Sequence, residues 1–524
     1  MVRGSFFKRN KDKKDKKQEK TNNEQENFSI EIGKDLEKNL DNIRKMLDKP
    51  NDLIIREFTI RHSDHKGALV FIDGLVDKDV INNRILLRLQ RVNERRDLPS
   101  SDSKLFDIIY REIISVSDIQ RSKTLDDVSN AILYGGTAFY LDGIDDVLIM
   151  DTKGWESRSI EEPMTEPVIR GPREGFVENL RTNMVLIRRH IQDPNLRFKT
   201  HQIGRRSKRN LVVTYIDGIT HPDLLKEINR RLKTIDMDDA PESGYIEQWI
   251  EDSFLSPFPQ FLNTERPDRV AFSLLEGKVA ILLDGTPFVL IAPISIGNAL
   301  QSPEDYYERW TIGTLLRSLR YLAAFIAIFA PALYIALVSF HQGMIPSKLA
   351  FSIAATRDGV PFPAFVEAFL MGVTMELLRE AGARLPKTIG QTIGIVGGLV
   401  IGDAAVQAGV VSPIMVIVVA LTAIASFSLP AYSVAISFRL IRFGFMFAAA
   451  IFGLYGIIIA YIMVNIHIVN LKSIGVPYSA PFAPSFFSDW KDLVLRAPIQ
   501  VLTKRPTYLK TTDPESANKG GQKT

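Results

Sequence analysis

The 524-residue sequence contains no cysteine, and histidine is scarce, with seven residues. The absence of cysteine excludes disulfide bonds, thiolate metal sites and a cysteine nucleophile, although it does not assign the chain to a compartment. In the first 300 residues only His62 and His65 lie close together, and no third histidine stands near them to complete a metal site.

A strong charge of one sign is also missing, because 65 lysines and arginines face 61 aspartates and glutamates and leave a net charge of +4. Such a balance gives no support to nucleic-acid binding. The sequence has no P-loop, no strand-linked GxGxxG, no HExxH and no EF-hand pattern. We therefore predict a protein that is not an enzyme and that has no cofactor, no metal site and no nucleic-acid partner.

The first 30 residues lack the apolar core of a secretory signal, so we expect the N-terminal domain to stay in the cytoplasm. Their lysines are diluted by acidic and amide side chains, a composition typical of a solvated tail. We predict a basic disordered tail over residues 1–49.

What the sequence does contain is an internal repeat. "KGALVFIDGLVDKDVINNRILLRL" (66–89) is echoed by "RNLVVTYIDGITHPDLLKEINRRL" (209–232), and "AILYGGTAFYLDGIDDVLIM" (131–150) by "SLLEGKVAILLDGTPFVLIA" (273–292). Each copy has strand and helix patterns and a hairpin at an Asp-Gly pair. The sequence thus predicts an α/β cytoplasmic region of two duplicated subdomains, residues 50–160 and 161–300.

The repeat makes Asp73 equivalent to Asp217, and Asp142 equivalent to Asp284. Each aspartate precedes a glycine, which supplies the positive φ of a tight turn, and aspartate stabilises such turns through its own side chain. We therefore interpret the four pairs as turn residues and not as a binding site.

A polytopic α-helical membrane domain is predicted over residues 301–472, because about 150 residues beyond position 315 are dominated by apolar and small side chains. A C-terminal segment with a polar tail follows at 473–524. Five apolar runs have the composition of crossings, at 321–340, 361–379, 389–409, 413–430 and 443–464. Five crossings place the basic C-terminal tail outside, against the positive-inside rule, so either 389–409 is re-entrant, which we favour, or 473–488 dips into the membrane.

Charged residues lie within one of these runs, "PFPAFVEAFLMGVTMELLREAGARLPKTIG" (361–390). A charge near the bilayer centre costs about 2.5–3.5 kcal/mol on insertion scales. Glu367 has no nearby cation in the sequence, shares a helix face with Thr374, and is expected to face water or a partner. A ring of symmetry-related copies would then form a cation-attracting collar. We name Glu367, Thr374, Gln391 and Asp403 as candidate ion-pathway or gating residues.

The remaining charges of this run are spaced for local pairing. Glu376 and Arg379 are three positions apart, and Glu380 and Arg384 four, which are the spacings of neighbours on one helix face. A structural ion-pair cluster at the helix end and a gate are both open interpretations of these four residues.

Two motifs carry a family resemblance. The pattern E-x3-E-A-G-x-R-L-P is met by Glu376, Glu380 and the residues that follow to Pro386, and "GVPYSAPFAP" occurs at 475–484. With these motifs the chain resembles the GerA family, specifically the A subunit of spore germinant receptors. The resemblance extends from "FIDGLVDKDVI" (71–81) to the "GVPY" stretch.

This resemblance implies a multi-pass protein of the endospore inner membrane that works with a transporter-like B subunit and a lipoprotein C subunit. It also implies a homo-oligomer in the lipid bilayer that forms a nutrient-gated cation channel and triggers germination. A secondary transporter subunit and a membrane-anchored signalling scaffold remain as alternatives, and conductance in liposomes together with a subunit count would separate the three.

Overall fold

A computed structural model describes residues 31–47, 53–60, 65–90, 102–154, 159–163, 165–384 and 402–517. The chain forms two compact units, Met1–Glu156 and Ser157–Thr524. Each unit contains one five-stranded sheet in which all neighbouring strands are antiparallel.

The first unit is a sheet with the strand order β1-β2-β4-β5-β3 and helices on both faces. Its strands are β1 (Leu53–Thr59), β2 (Lys66–Ile72), β3 (Ile119–Ser122), β4 (Gly136–Leu141) and β5 (Val147–Asp151). Its helices are α1 (Leu36–Met46), α2 (the contiguous segments Lys78–Val80, Ile81–Leu86 and Leu87–Gln90), α3 (Asp102–Ile108 and Ile109–Ile113) and α4 (Leu125–Leu133).

The helices cover both faces of the sheet because successive side chains of the central strands point to opposite faces. In β2, Val70 and Ile72 pack with α1 and α4, whereas Leu69 and Phe71 pack with α2 and α3. Successive side chains of a strand point to opposite faces, so a strand that is apolar at every position needs cover on both sides.

The prediction of a disordered tail over residues 1–49 does not hold for helix α1, which lies within that range and is folded. Asp35 caps its first turn by accepting a hydrogen bond from the Lys38 amide at 3.2 Å. Leu36, Leu40 and Ile43 are buried on one side of the helix. An amphipathic helix with three buried apolar residues belongs to the sheet's core and not to a solvated tail.

The second unit begins with a sheet of the order β6-β7-β9-β10-β8. Its strands are β6 (Leu196–Ile203), β7 (Arg209–Ile216), β8 (Leu262–Thr264), β9 (Val279–Leu283) and β10 (Val289–Ala292). The accompanying helices are α5 (Leu180–His190), α6 (Pro222–Leu232), α7 (Ser243–Ile250), α8 (Pro267–Leu275), α9 (Ile296–Ala299) and α10 (Glu304–Tyr307).

The two sheets share one topology. Their strand orders are identical when each strand of the first is matched to the strand five places later in the chain. Asp73 directly follows β2 and Asp217 directly follows β7, as the repeat predicts. The internal equivalence predicted from the Asp-Gly pairs is confirmed at the level of topology.

Asp142 and Asp284 have matching contacts as well as matching places. Asp142 accepts a hydrogen bond from the Leu36 amide at 3.2 Å, and Asp284 accepts one from the Leu180 amide at 3.3 Å. Both amides begin a helix, α1 in one unit and α5 in the other. The carboxylates thus fasten a helix start to a strand turn, in agreement with a structural role.

The rest of the second unit is a bundle of apolar helices: α11 (Trp310–Ser339), α12 (Ser347–Arg357), α13 (Ala364–Arg384), α14 (Gly402–Gln407), α15 (Pro413–Phe427) and α16 (Tyr432–Asn470). Within the described residues, α11 and α16 are long and apolar enough to cross a membrane, and α15 is a shorter apolar helix. A short two-stranded ribbon, β11 (Lys472–Ser473) and β12 (Val476–Pro477), follows.

Helix α16 is a hairpin of two helical arms. Gly453 interrupts it with φ 60° and ψ −139°, a conformation that favours glycine. Ser437 donates to the carbonyl of Pro257, while His467 is 2.8 Å from the Ser256 hydroxyl. A straight helix would separate residues 437 and 467 by about 45 Å, yet they contact adjacent residues, so the arms run back on each other. The segment 443–464, predicted as a single crossing, is therefore divided between two helical arms.

The direction of the other helices follows from their contacts. We call the end of the bundle beside the sheet the base and the opposite end the tip. Helix α11 runs from base to tip, since Phe340, just beyond it, packs against Gly453. Phe329 in α11 contacts both arms of α16, at Phe445 with ring centroids 4.8 Å apart and at Tyr461 with 6.1 Å.

The C-terminal segment lies at the base. The Thr512 amide donates to the Ile219 carbonyl at 3.0 Å, and Tyr508 donates to Asn298 at 2.7 Å. Ile474 and Tyr478 are buried in the cores around the second sheet. These contacts pack the segment against the second sheet, whereas the membrane dip over residues 473–488 stays an untested alternative.

Candidate functional site

Three groups of charged side chains lie in the bundle or at its base, at different levels. The tip pair consists of Glu367 and Arg357. The three-arginine cluster consists of Arg379, Arg439 and Arg442 around Glu376. The basal network consists of Arg317, Arg320, Asp305 and Asp492.

In the tip pair the Glu367 side chain is 0% exposed. Its Oε1 accepts from Nη2 of Arg357 at 3.0 Å and from Nε at 3.2 Å. Its Oε2 accepts from the backbone N–H of Ser412 at 2.9 Å, at the start of α15, where a helix favours negative charge. All three donors are aimed at the two oxygens of one carboxylate.

Glu367 was selected because no cation lies near it in the sequence, and the tip pair shows that this reason was wrong. The sequence offered no obvious cation for Glu367, but Arg357 ends α12 and the chain turns back into α13, which brings the two side chains together. Within one chain Glu367 is paired and buried, and it does not face water.

Of the other ion-pathway candidates, Thr374 and Asp403 are described, and neither is a hydrogen-bond partner of Glu367. Thr374 is half-buried on α13. Asp403 is exposed on α14 and accepts from Gln407 at 2.7 Å. Gln391 and most of the predicted re-entrant segment 389–409 lie outside the described residues.

In the three-arginine cluster, the predicted pair of Glu376 and Arg379 is confirmed, with Nη1 3.1 Å from each carboxylate oxygen. The same carboxylate also receives Arg442 at 2.9 Å and Arg439 at 3.2 Å, both from the first arm of α16. Sequence reasoning missed these partners because they lie 63 and 66 positions away. Three guanidinium groups around one carboxylate leave this cluster with a net charge of +2.

The second predicted pair, Glu380 with Arg384, is also confirmed, with Nε 2.8 Å from Oε1. Both side chains are well exposed. An exposed pair of this spacing contributes only about 0.3–0.5 kcal/mol.

A small cleft of about 10 Å³, with room for about one water molecule, lies beside the three-arginine cluster. Glu376, Arg379 and Arg442 form its polar end, and the rest of its wall is made by small and apolar side chains, among them Met375 and Met446. Helices α13 and α15 run parallel past it, since Glu367 and Ser412 meet at the tip and Arg379 donates to Ser426 at 3.0 Å near the base.

In the basal network Arg317 is fully buried and joins the bundle to the C-terminal segment. Its Nε donates to Asp305 at 3.1 Å, and its Nη1 donates to Asp492 at 2.8 Å. Arg320 donates to the same Asp305 at 2.8 Å. Burial and the nearby Asp492 carboxylate raise the pKa of Tyr306 well above its usual value, so its hydroxyl stays protonated and donates to Asp492.

The sequence matches the family described as "Bacillus/Clostridium GerA spore germination protein" over residues 41–508. The chain belongs to the GerA family. This GerA chain is 51% identical to spore germination protein GerLA of Bacillus cereus over 90% of its own length and 95% of that relative. It is 46% identical to spore germination protein KA of Bacillus subtilis (strain 168), over 92% and 88% of the two chains.

A solved structure is similar to part of the GerA chain. It is the crystal structure of the N-terminal domain of the A subunit of the Bacillus megaterium spore germinant receptor GerK3, 34% identical, covering 51% of this chain and 97% of that one, with a TM-score of 0.22. The family match spans both sheets, the helical bundle and most of the C-terminal segment. All three charged groups of the bundle therefore lie inside the GerA region.

Proposed function

We propose that this chain is the A subunit of a nutrient-responsive spore germinant receptor in the inner membrane of the endospore. Membership of the GerA family and the similarity to two spore germination proteins over about nine-tenths of the chain support this assignment. We further propose that it acts with a transporter-like B subunit and a lipoprotein C subunit, as the family resemblance implies.

In this proposal the bundle crosses the membrane several times with its base on the cytoplasmic side. Arg317, Arg320 and the three-arginine cluster lie toward the base, and cytoplasmic flanks are the ones enriched in arginine and lysine. The hairpin of α16 returns the chain to the base, where the basic C-terminal segment is packed. The conflict between an odd number of crossings and a basic C-terminus disappears when α16 contributes two crossings.

We propose that several copies surround a shared cation path. The observation that carries this proposal is the tip pair, because ionised groups buried in an apolar bundle are costly and mark ion pathways or gates by default. Within one chain, Arg357 occupies the Glu367 carboxylate at the tip end of α13. When water or a group of the adjacent copy replaces Arg357 as its partner, the Glu367 carboxylate becomes able to contact a cation. Thr374, Gln391 and Asp403 stay our candidates for residues that line the path.

Cation flux in proteoliposomes that contain the A, B and C subunits tests the channel, with the number of A subunits measured in the same preparation. We expect nutrient-dependent flux from an oligomer. Flux that requires the opposing gradient of a second solute would favour the transporter alternative, and a monodisperse A-subunit oligomer without flux would favour the scaffold.

A further inference from the structure

The turn between α7 and β8 presents two large apolar side chains to solvent. Phe254 and Leu255 are each 81% exposed. They occupy the two central positions of a turn that is closed by a hydrogen bond from the Ser256 amide to the Ser253 carbonyl at 3.3 Å. Such positions usually hold glycine, proline, asparagine, aspartate or serine. Two adjacent apolar side chains at the tip of a turn therefore indicate an interaction surface.

Hydrogen bonds hold both ends of this turn. The buried Gln260 side chain accepts from the amides of Asp252 at 2.7 Å and Ser253 at 3.0 Å, and it donates to the Ser253 carbonyl at 2.7 Å. At the other end, the Ser256 hydroxyl accepts from the Phe258 amide at 3.2 Å. The two apolar side chains are thus displayed by an ordered backbone, which lowers the ordering cost of binding.

The turn lies at the base of the bundle, against both arms of α16. Ser437 of the first arm donates to the Pro257 carbonyl. His467 of the second arm is 2.8 Å from the Ser256 hydroxyl and stacks with Phe258, the ring centroids being 6.0 Å apart. Contacts with two helical arms fix the level of the turn along the bundle.

This level can be expressed as a distance from the bend of α16. Ser437 precedes Gly453 by 16 residues and His467 follows it by 14. At about 1.5 Å per residue, the turn contacts the arms about 21–24 Å from the bend. The hydrocarbon layer of a bilayer is about 30 Å thick. With the bend near the far side of this layer, the turn meets its cytoplasmic edge.

The surface of α16 remains apolar down to this level. Ile436 and Ile466, the neighbours of the two contact residues, are exposed, and so are Leu440 and Met463, about one turn nearer the tip. The exposed fractions of these four residues lie between 44% and 65%. The apolar surface that faces lipid in the proposed placement therefore extends to the turn.

The charges around the turn are compatible with a membrane surface. Lys472, two residues beyond α16, is exposed and can interact with anionic headgroups. Asp252, beside the turn, is paired with Arg231 at 2.8 Å. Burial raises the pKa of Glu251, which shifts this carboxyl toward its neutral form.

We propose that the turn 253–256 is a membrane anchor, in which Phe254 and Leu255 insert into the boundary between headgroups and acyl chains of the cytoplasmic leaflet. The anchor holds this end of the second sheet at the bilayer surface. The inference rests on the proposed membrane placement of the bundle. Phenylalanine and leucine on a segment that lies at the interface bury themselves in this boundary, and the partner is therefore a lipid surface.

The test uses single cysteines, because the chain has none of its own and a nitroxide label then marks one position. Leu255→Cys reports on the turn, and Ile462→Cys on the exposed side of the second arm. Arg206→Cys is the aqueous control. It lies in the exposed turn between β6 and β7, at the end of the sheet opposite to Leu262.

The full-length variants are reconstituted into vesicles of phosphatidylglycerol and phosphatidylcholine. Power-saturation EPR compares collisions of the label with oxygen, which concentrates in hydrocarbon, and with a water-soluble nickel chelate. Transfer of one large apolar side chain out of water shifts an equilibrium by about tenfold or more. We therefore expect position 255 to be accessible to oxygen and shielded from nickel, as position 462 is, and position 206 to show the reverse.

A second pair of variants changes the apolar character of the turn. With the label at Phe254→Cys, Leu255→Asp should reduce the inserted population by about tenfold or more and expose the label to nickel. Leu255→Met keeps an apolar side chain and should leave the label shielded. Both side chains are largely exposed, so these changes leave the core of the protein intact.

Nickel accessibility at position 255 equal to that at position 206, while position 462 stays in lipid, would overturn the anchor and leave the membrane placement standing. Nickel accessibility at position 462 as well would overturn the placement and the anchor together. A label at position 255 that neither reagent reaches would overturn the lipid assignment and identify a protein contact, such as a second copy. None of these readouts requires ion flux, so a failure of the channel proposal is distinguishable from a failure of this one.

Discussion

Replacing Glu367 by glutamine tests whether the tip pair holds the bundle together. Glutamine keeps the shape of glutamate but has one oxygen and one NH2 group. In the native pair, Oε1 accepts from Arg357 and Oε2 accepts from the Ser412 amide, at 3.0 and 2.9 Å. Either orientation of the glutamine therefore points an N–H group at another N–H donor, so one donor must lose its partner.

The size of the effect follows from these contacts. A hydrogen bond to a charged group contributes about 1.5–3 kcal/mol, and breaking a buried ion pair costs about 3–5 kcal/mol. Since a fifth of the Arg357 side chain is exposed, water can hydrate part of it. We expect Glu367→Gln to lower the free energy of unfolding by about 2–4 kcal/mol, which is a decrease of several degrees in thermal midpoint.

The control is Glu380→Gln, the same substitution thirteen positions along the same helix. Its partner Arg384 is well exposed, so the change should alter the free energy of unfolding by no more than about 0.5 kcal/mol. Thermal unfolding of both variants is followed by the loss of the monodisperse peak in size-exclusion chromatography. Equal midpoints for the two variants would refute the role of the tip pair in stability.

Three further changes have defined outcomes. Arg317→Lys keeps the charge but loses the fork that reaches two carboxylates, so we expect the C-terminal segment to become more sensitive to limited proteolysis; unchanged cleavage would contradict this. Gly453→Ala forces a side chain into positive φ at a cost of about 1–2 kcal/mol and against the end of α11, and should reduce the yield of folded protein, whereas Gly444→Ala, with open space around it, should not. Burial and two neighbouring carboxylates raise the pKa of Glu247 from 4.5 to about 7, so folding favours its protonated form and the stability it contributes is lost as pH rises through about 7. The thermal midpoint should fall between pH 5 and 8, and Glu247→Gln should flatten that dependence.

The duplicated sheets were predictable because their signals are local. An Asp-Gly turn after a β-branched run is visible within a dozen residues, and it recurs at equivalent places in both units. The edge strands β1 and β6 were not predicted, because an edge strand is half solvated and its polar residues obscure the pattern. Helix α1 was missed for a similar reason, since a lysine-rich sequence surrounds its apolar side.

The charged site was predictable only in part. Spacing along α13 gave the pairs of Glu376 with Arg379 and of Glu380 with Arg384. It could not give Arg439 and Arg442, which reach Glu376 through helix packing. The hairpin was hidden too, because hydropathy is continuous across Gly453 and no local feature shows which glycine of the segment adopts positive φ.

The basal network also affects how the protein is made. Arg317 and Asp492 are 175 positions apart, so at about 5–20 residues per second the ribosome needs roughly 10–35 s to deliver the second partner after the first. During that interval Arg317 has Asp305, which it shares with Arg320. A product that ends before residue 492 would keep a buried arginine without its full set of acceptors, and quality-control proteases could recognise the resulting loose end. Complete synthesis of the chain is therefore a condition for a stable base.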